Sequence, residues 1–249
     1  MKKYLTHAVL LFASVAACFM FLAMPVKAQD LGAIVTPDGY VFDPVYYAQQ
    51  NPDVVAVCGD SRLALYQHYL MSGRGEGRFG SASQADAVNA ALASGETLAF
   101  APMTLLGMES TPYDPTIDRA TNVQVAADRL NGTLLQPGER FSYDARILPR
   151  TAAYGYVPAG IIVNKQHAVG MGGGICQVSS TLYSAMVNAG IPATERHAHS
   201  LPVPYISRDR EASISAGAMD LRFTNVLQNQ LYIQAFYGDG FVTVMLIAM

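Results

Sequence analysis

The segment GMGGGICQVSSTLYSAMVNAG, residues 170–190, places four glycines ahead of a single cysteine and then continues in a pattern typical of a helix. We expect this helix over residues 175–189, with Gly190 and Pro192 ending it. Glycines let a backbone approach its neighbours closely and adopt torsions that other residues avoid. Cys176 would therefore lie in the first helical turn, directly behind a glycine loop.

The position of Cys176 suggests a nucleophile. The unpaired N–H groups of a first helical turn, together with the helix dipole, favour the thiolate form of a cysteine. In this interpretation the backbone N–H groups of Cys176 and Gln177 stabilise an oxyanion. The alternative is a small buried apolar residue where the helix contacts a sheet, with the glycines serving only the turn.

The chain on either side of this helix predicts an α+β fold. Before it, apolar residues at three- and four-residue steps predict a helix that Asp114 begins and Asn131 ends, and residues 156–163 are typical of a strand. After it, turns separate six strand-like segments: residues 194–199, 203–206, 212–215, 220–225, 231–237 and 241–247. An antiparallel sheet packed against a central helix is the simplest architecture for this order.

A histidine pair follows the central helix in ERHAHS, residues 195–200. Residues two apart on a strand face the same side, so His197 and His199 would project together. Cysteine, then histidine, then an acid on a later strand is the layout of papain-like and transglutaminase-like enzymes, and the candidate acid is Asp220. Asp220 also has a simpler interpretation, as the partner of Arg222 or the cap of a turn.

The predicted site has three catalytic residues. Cys176 would be the nucleophile, His199 the general base and then acid, and Asp220 the group that orients the imidazole. The residues expected to contact substrate are Gly173, Gly174, Gln177, Arg196, His197 and Tyr205. An arginine among them suits a carboxylate-bearing peptide.

Metal binding is an alternative for the same region. The nitrogen and sulfur donors that zinc and copper accept are present in Cys176, His167, His197 and His199. No second Cys or His lies near Cys176 in the sequence, however, and we expect neither a metal nor another cofactor. The glycines also lack the lysine or the glycine spacing of a phosphate-binding loop.

The first 28 residues are predicted to be an export signal. Two lysines precede an apolar run over residues 8–24, and small residues at positions 26 and 28 fit a cleavage site. Two alternatives stay open, which are lipid modification at Cys18 and an uncleaved membrane anchor. We expect a protein exported to the periplasm, cell envelope or extracellular space, with membrane contact only through this segment or a lipid anchor.

The charge balance argues against some classes of partner. The chain has 249 residues, of which 51% are hydrophobic and 14% charged, a globular composition. Removal of the leader takes away three lysines, so Lys plus Arg falls from 16 to 13 against 19 acidic residues, a net charge of −6. Nucleic acids and anionic membrane surfaces both reward clustered basic residues, so neither is the expected partner.

Three segments follow the leader. Residues 42–80 predict a small helical module, residues 81–102 a linker and residues 103–249 the main domain. The module resembles a short repeat of secreted and surface-associated bacterial proteins, with the pattern FDxxYYxxxNPDV followed by HYxxxGxxEGR. Cys58 and His68 within it are expected to be packing residues. The two cysteines left after export are too few for a disulfide scaffold, although they could pair with each other.

The motifs of the main domain resemble the VanW-like domain, named for an accessory protein of some vancomycin-resistance gene clusters. The matching motifs are LNGTLLQPGERFSYD (130–144), GYVPAGIIV (155–163), GGGICQVSSTLY (172–183), ERHAHSLPVPYI (195–206) and DLRFTN (220–225). Residues 207–213 depart from the pattern, with SRDREAS where the family commonly has GRDAT. The resemblance implies an exported or membrane-anchored protein, often joined to modules that bind cell-surface polymers, and it assigns no reaction.

Two functional hypotheses follow. The first is a cysteine-dependent hydrolase or transpeptidase-like acyltransferase that acts on peptidoglycan peptides. The second is a non-catalytic envelope module that uses the same groove to bind a cell-wall component or to serve a structural role. Both hypotheses have peptidoglycan or another cell-wall polymer as the partner.

Overall fold

The computed structural model describes residues 34–96, 102–163 and 165–249. The predicted export signal and Cys18 lie outside these residues. The described residues form two compact units, one before residue 100 and one after residue 101, which we call the N-terminal unit and the C-terminal unit. None of the described helices is long and apolar enough to cross a membrane.

The N-terminal unit consists of a two-stranded antiparallel ladder followed along the chain by helices. Its elements are β1 (Ile34–Val35), β2 (Val41–Phe42), α1 (Pro44–Gln50), α2 (Pro52–Cys58), α3 (Arg62–His68), a π-helical turn (Tyr69–Gly73) and α4 (Ala82–Ser94). Proline begins α1 and α2, as its fixed φ allows at a first helical position. The side chains of Asp43, Ser61 and Ser81 cap α1, α3 and α4.

Aromatic rings and one arginine hold the N-terminal unit together. The rings whose centres lie 5.0–5.3 Å from that of Phe42 are Tyr47, Tyr66 and Tyr69. Arg78 donates hydrogen bonds to Asn51 Oδ1 at 2.7 Å and to Asp53 Oδ2 at 2.7 Å. The repeat pattern seen in the sequence therefore describes a structural core, and its final arginine ties the last turn to the start of α2.

Cys58 and His68 have the packing roles expected of them. Cys58 is buried, and His68 Nδ1 lies 2.9 Å from the Tyr47 hydroxyl. Burial lowers the pKa of His68, so the imidazole is neutral at neutral pH. Cys58 and Cys176 do not form a disulfide with each other.

The predicted linker at residues 81–102 is wrong in its first part, because residues 82–94 form α4. Alanine gives this segment high helix propensity without the apolar stripe that predicts a packed helix. Gln84 is buried, accepts a hydrogen bond from the Gly80 N–H at 2.6 Å and donates one to the Tyr69 hydroxyl at 2.9 Å. The start of α4 is therefore hydrogen-bonded to the rest of the N-terminal unit.

The C-terminal unit is an α+β fold, as predicted. Its elements are β3 (Thr104–Pro112), α5 (Arg119–Leu130), β4 (Thr133–Leu135), β5 (Arg140–Ser142), α6 (Tyr143–Ile147), a 3-10 turn (Ala152–Tyr154), β6 (Pro158–Val163), β7 (Gln166–Met171), α7 (Ile175–Asn188), β8 (Ala193–Glu195), β9 (Arg222–Thr224), β10 (Leu231–Gly238) and β11 (Phe241–Ala248). The predicted central helix, residues 175–189, is α7.

The two larger sheets of this unit are antiparallel. One has the strand order β3-β11-β10-β4 and the other β5-β9-β8, while β6 and β7 form a separate hairpin. Helix α7 packs against β3 and β11, and α5 packs against β10 and α7. Their apolar faces supply fully buried side chains, among them Val123, Leu130, Val178 and Leu182. The predicted packing of a central helix on an antiparallel sheet is thus confirmed.

Two predicted strands, residues 203–206 and 212–215, are absent from the sheets of the described chain. The second of these segments pairs with side chains of α7 in place of a neighbouring strand. The Ser180 hydroxyl accepts a hydrogen bond from the Ala212 N–H at 2.9 Å, and the Ser179 hydroxyl donates one to the Ala212 carbonyl at 2.6 Å. Hydroxyl groups thus satisfy backbone groups that a ladder would otherwise satisfy.

A buried asparagine joins the first turn of α5 to the segments on either side of the hairpin. Asn122 is fully buried and its Nδ2 donates to the carbonyls of Val157 at 2.9 Å and Gly173 at 2.8 Å. Its Oδ1 accepts from the Val157 N–H at 2.8 Å. The hairpin and the glycine loop are therefore held by one side chain.

We expect Asn122→Ala to destabilise the C-terminal unit by about 2–4 kcal/mol, because it leaves several buried backbone groups without partners. Native-state hydrogen exchange of the α5 and α7 amides measures this loss. Thr121→Ala, on the exposed face of the same helix, is the matched control and should change the exchange little. Equal protection in Asn122→Ala and the wild type would contradict the assignment.

Candidate functional site

A cleft of about 1120 Å³ opens at the N-terminal end of α7. The glycine loop and the first turn of α7 line it, with the β6–β7 hairpin, residues 198–205 and residues 213–216 around them. Its charged side chains are Asp114, Arg119, Arg150 and Lys165, so basic groups outnumber the acidic one.

The glycine loop has the close contact that its composition predicts. A Cβ on Gly173 would lie 2.5 Å from the Gly160 carbonyl oxygen and 2.6 Å from the Ala159 carbonyl, so no side chain fits between the loop and β6. Gly174 has φ of +118°, a torsion that other residues rarely adopt. Both predicted glycines line the cleft, but the structure also gives each a purely conformational reason.

Cys176 is half-buried at the cleft and bonded to the protein backbone. Its Sγ accepts from the Ile214 N–H at 3.4 Å and faces the Ile214 carbonyl oxygen at 3.6 Å. Burial raises the pKa of the thiol, although the backbone hydrogen bond and the charges of Arg150 and Arg119 oppose the change. Burial therefore acts against the thiolate that the helix terminus is expected to favour.

His199 is buried beside a glutamate. Its Nδ1 lies 2.8 Å from Glu211 Oε2, and its backbone N–H donates to Glu211 Oε1 at 3.1 Å. Burial lowers the pKa of His199 although the Glu211 carboxylate raises it, so the ring is neutral at neutral pH. With Nδ1–H donating to Glu211, Nε2 is free to accept, and it lies 3.5 Å from the Tyr205 hydroxyl. No hydrogen bond joins Cys176 to His199 in the described part of the chain.

The predicted role of Asp220 is wrong. Its carboxylate accepts hydrogen bonds from the Ser142 hydroxyl at 2.6 Å, the Asp144 N–H at 2.8 Å and Arg222 Nε at 2.8 Å. Burial alone would raise the pKa of Asp220, but these donors outweigh it and the pKa is lowered. The simpler interpretation, a pair with Arg222, is the one found, and Glu211 takes the position beside His199.

Two predicted substrate contacts lie away from the cleft lining. Arg196 donates to the carbonyls of Glu211 at 2.6 Å and Arg208 at 2.7 Å and stacks on the Tyr183 ring. His197 Nε2 lies 3.0 Å from Glu195 Oε1. The expectation that His197 and His199 share a strand face is wrong because β8 ends at Glu195, before either histidine.

Gln177 is fully buried, and its side-chain polar groups form hydrogen bonds inside the protein. Its Nε2 donates to the Pro112 carbonyl at 2.7 Å, its Oε1 accepts from Arg119 Nη1 at 2.6 Å, and its backbone N–H donates to the Gly174 carbonyl at 2.9 Å. The backbone N–H predicted to stabilise an oxyanion is therefore already engaged. Gln177 lines the cleft, where its Oε1 positions the Arg119 guanidinium.

Tyr205, which the sequence predicts to contact substrate, lines the cleft, and so does Arg119, which the sequence analysis did not single out. The Arg119 guanidinium lies 5.4 Å from the centre of the Tyr205 ring. The two sit far apart in the sequence, one at the start of α5 and the other in an irregular loop. The sequence did not indicate Glu211 either, because it lies in the segment that departs from the family pattern.

Metal binding at this site finds no support in the geometry. Within residues 34–96, 102–163 and 165–249, no group of three or more His, Cys, Asp or Glu side chains could hold an ion.

Comparison with known proteins agrees with the resemblance seen in the motifs. The family model described as "VanW like protein" matches residues 118–247. An uncharacterized protein, YoaR, of Bacillus subtilis (strain 168) is 36% identical over 149 residues, which is 59% of this chain and 49% of YoaR. The vancomycin B-type resistance protein VanW of Enterococcus faecalis (strain ATCC 700802 / V583) is 28% identical over 113 residues, 43% of this chain and 41% of that protein.

The matched region spans less than half the length of each of these two relatives. No solved structure matches the chain. The family model covers more than half of the 249 residues, including the glycine loop, α7 and most of the C-terminal unit. The chain therefore belongs to the VanW-like family.

Proposed function

We propose that the C-terminal unit is a ligand-binding module of the cell envelope that holds a cell-wall peptide in the cleft. The observation that carries the proposal is a large open cleft in which the candidate catalytic groups already form hydrogen bonds within the protein. Cys176 is hydrogen-bonded to Ile214, and His199 to Glu211. Gln177 is hydrogen-bonded to Pro112 and Arg119. Such an arrangement supports a rigid, preformed binding surface.

The cell-wall assignment draws on three supports. One is the predicted export signal, and another is the resemblance of the N-terminal repeat to surface-associated proteins. The third is the Enterococcus relative, which is named a vancomycin B-type resistance protein. A peptide ligand suits the cleft because its lining combines apolar side chains of the hairpin, such as Ile161 and Ile162, with basic side chains.

Cysteine-dependent acyl transfer is the second candidate. It is favoured because Cys176 and His199 line the same cleft and His199 Nδ1 lies beside the Glu211 carboxylate. In this reaction Sγ of Cys176 attacks an amide carbonyl and its proton passes to Nε2 of His199. The leaving amine takes that proton, and water or a second amine releases the acyl group from the thioester. Glu211 would stabilise the imidazolium, the role predicted for Asp220.

Binding to purified peptidoglycan sacculi tests the first candidate. We expect the full chain to co-sediment with sacculi and Cys176→Ser to do so equally. Gly160→Phe should weaken binding several-fold, because Gly160 lines the cleft and has open space where a side chain would begin. Gly75→Phe, in the N-terminal unit, is the control. Failure of the wild type to co-sediment would remove the proposal.

Alkylation of Cys176 by iodoacetamide separates the two candidates. In a Cys18→Ser/Cys58→Ser background, we expect the native protein at pH 7 to react more slowly than the urea-unfolded chain, because burial raises the thiol pKa. The rate should rise only as the solution becomes alkaline. A native rate faster than the unfolded one, and lost in His199→Ala, would instead establish an activated nucleophile.

The partner of His199 is testable by NMR titration of its ring. We expect its pKa to lie below the ordinary histidine value of about 6.5, because burial disfavours the cation. Glu211→Gln should lower the pKa further, since the carboxylate favours the protonated ring, and Asp220→Asn should leave it unchanged. A larger effect of Asp220→Asn than of Glu211→Gln would contradict the structural assignment.

A further inference from the structure

Arg119 differs from the other arginine of the cleft in having no acidic partner. Arg150 forms an ion pair with Asp144, whereas no carboxylate pairs with Arg119 among the described residues. The acid that lines the same cleft, Asp114, accepts instead from the Thr116 N–H and hydroxyl. A partly buried guanidinium thus faces the cleft without a counter-ion.

Most of the hydrogen-bonding capacity of Arg119 is unused. A guanidinium carries five N–H donors in a planar fork, and in the described chain only Nη1 donates, to Gln177 Oε1 at 2.6 Å. Its other contact is the Tyr205 ring, 5.4 Å away, which supplies no acceptor for the remaining donors. Burial removes part of the water that would solvate the guanidinium. An anion bound beside this unpaired cation would compensate for that loss.

The surroundings hold the guanidinium in place. Gln177 cannot turn its amide over, because Nε2 is required as the donor to the Pro112 carbonyl at 2.7 Å, which leaves Oε1 facing Arg119. A Cβ on Gly174 would lie 3.0 Å from Arg119 Cγ, so the glycine lets the arginine stem cross the loop. The side chain is therefore positioned before any ligand arrives.

We propose that Arg119 is the anchor for a ligand carboxylate, and that the cleft selects peptides with a free C-terminal carboxylate over their neutral counterparts. The inference rests on the proposed binding role and names the ligand class for it. A carboxylate matches the planar fork of a guanidinium, and the charge-assisted bonds formed are stronger than neutral ones. With the carboxylate at Arg119, the rest of the peptide extends toward the apolar hairpin wall.

Calorimetry of the full chain with matched peptides tests this inference. The probes are N-acetyl-alanyl-alanine and its C-terminal amide, each in L,L and D,D forms, at millimolar concentrations. We expect the wild type to bind the acid at least about tenfold more tightly than the amide in one of the two stereochemical forms. Arg119→Met should lose that preference. Arg119→Lys should retain part of it, because a lysine keeps the charge but not the fork.

Arg129→Met is the matched control, since Arg129 lies in the last turn of the same helix and stacks on Tyr154 and Tyr156. It should keep the wild-type preference, and hydrogen exchange of α5 checks that each variant is folded. Equal binding of acid and amide, absence of acid binding at millimolar concentration, or a preference that survives in Arg119→Met would overturn the inference. Sacculus binding is scored separately, so a chain that binds sacculi without preferring acids retains the proposed function and loses only the anchor.

Discussion

The contact between the glycine loop and β6 is the constraint on which the site depends. Gly173 lies so close to the backbone of Ala159 and Gly160 that a methyl group would collide with it. Asn122 fixes the contact from within the core, since its amide reaches both Val157 and Gly173. The start of α7, one wall of the cleft and the first turn of α5 are thereby set in a single arrangement.

The electrostatics of the cleft follow from burial rather than from the helix terminus. A helix N-terminus stabilises an anion by a modest amount that falls off within one turn, while desolvation of a packed thiol acts against ionisation over the whole site. Burial accordingly raises the pKa of Cys176, whose Sγ accepts a hydrogen bond from the Ile214 N–H, and lowers the pKa of His199 beside Glu211. The charge presented to a ligand comes instead from arginine, which stays charged where cysteine and histidine are neutral.

Several polar residues of the family motifs form hydrogen bonds that hold the fold together. Ser179 and Ser180 fasten residue 212 to α7, and Asp220 organises the turn at Ser142 and Asp144. Such residues look catalytic in a sequence because hydroxyl and carboxyl groups serve both purposes with the same chemistry. In the N-terminal unit, Arg78 likewise joins α2 to the end of the repeat by pairing with Asp53.

Local patterns by themselves determined the elements with strong signals. Helix α7, most of α5, strand β6 and the final hairpin of β10 and β11 were predictable, because apolar periodicity and glycine turns encode them within a few residues. The family and the general location of the cleft at the glycine loop were also readable. Helix α4 was missed because an alanine-rich segment has helix propensity without an apolar stripe.

Which side chains meet at the cleft was decided only by the tertiary structure. Glu211 reaches His199 from a loop with no periodic pattern, and Arg119 reaches Tyr205 across 86 positions of sequence. Asp220 had the right residue type and chain order for a triad, yet its turn places it with Arg222. Spacing along a chain limits local geometry, whereas partners from distant segments are chosen by how the whole core packs and by which buried charges must be satisfied.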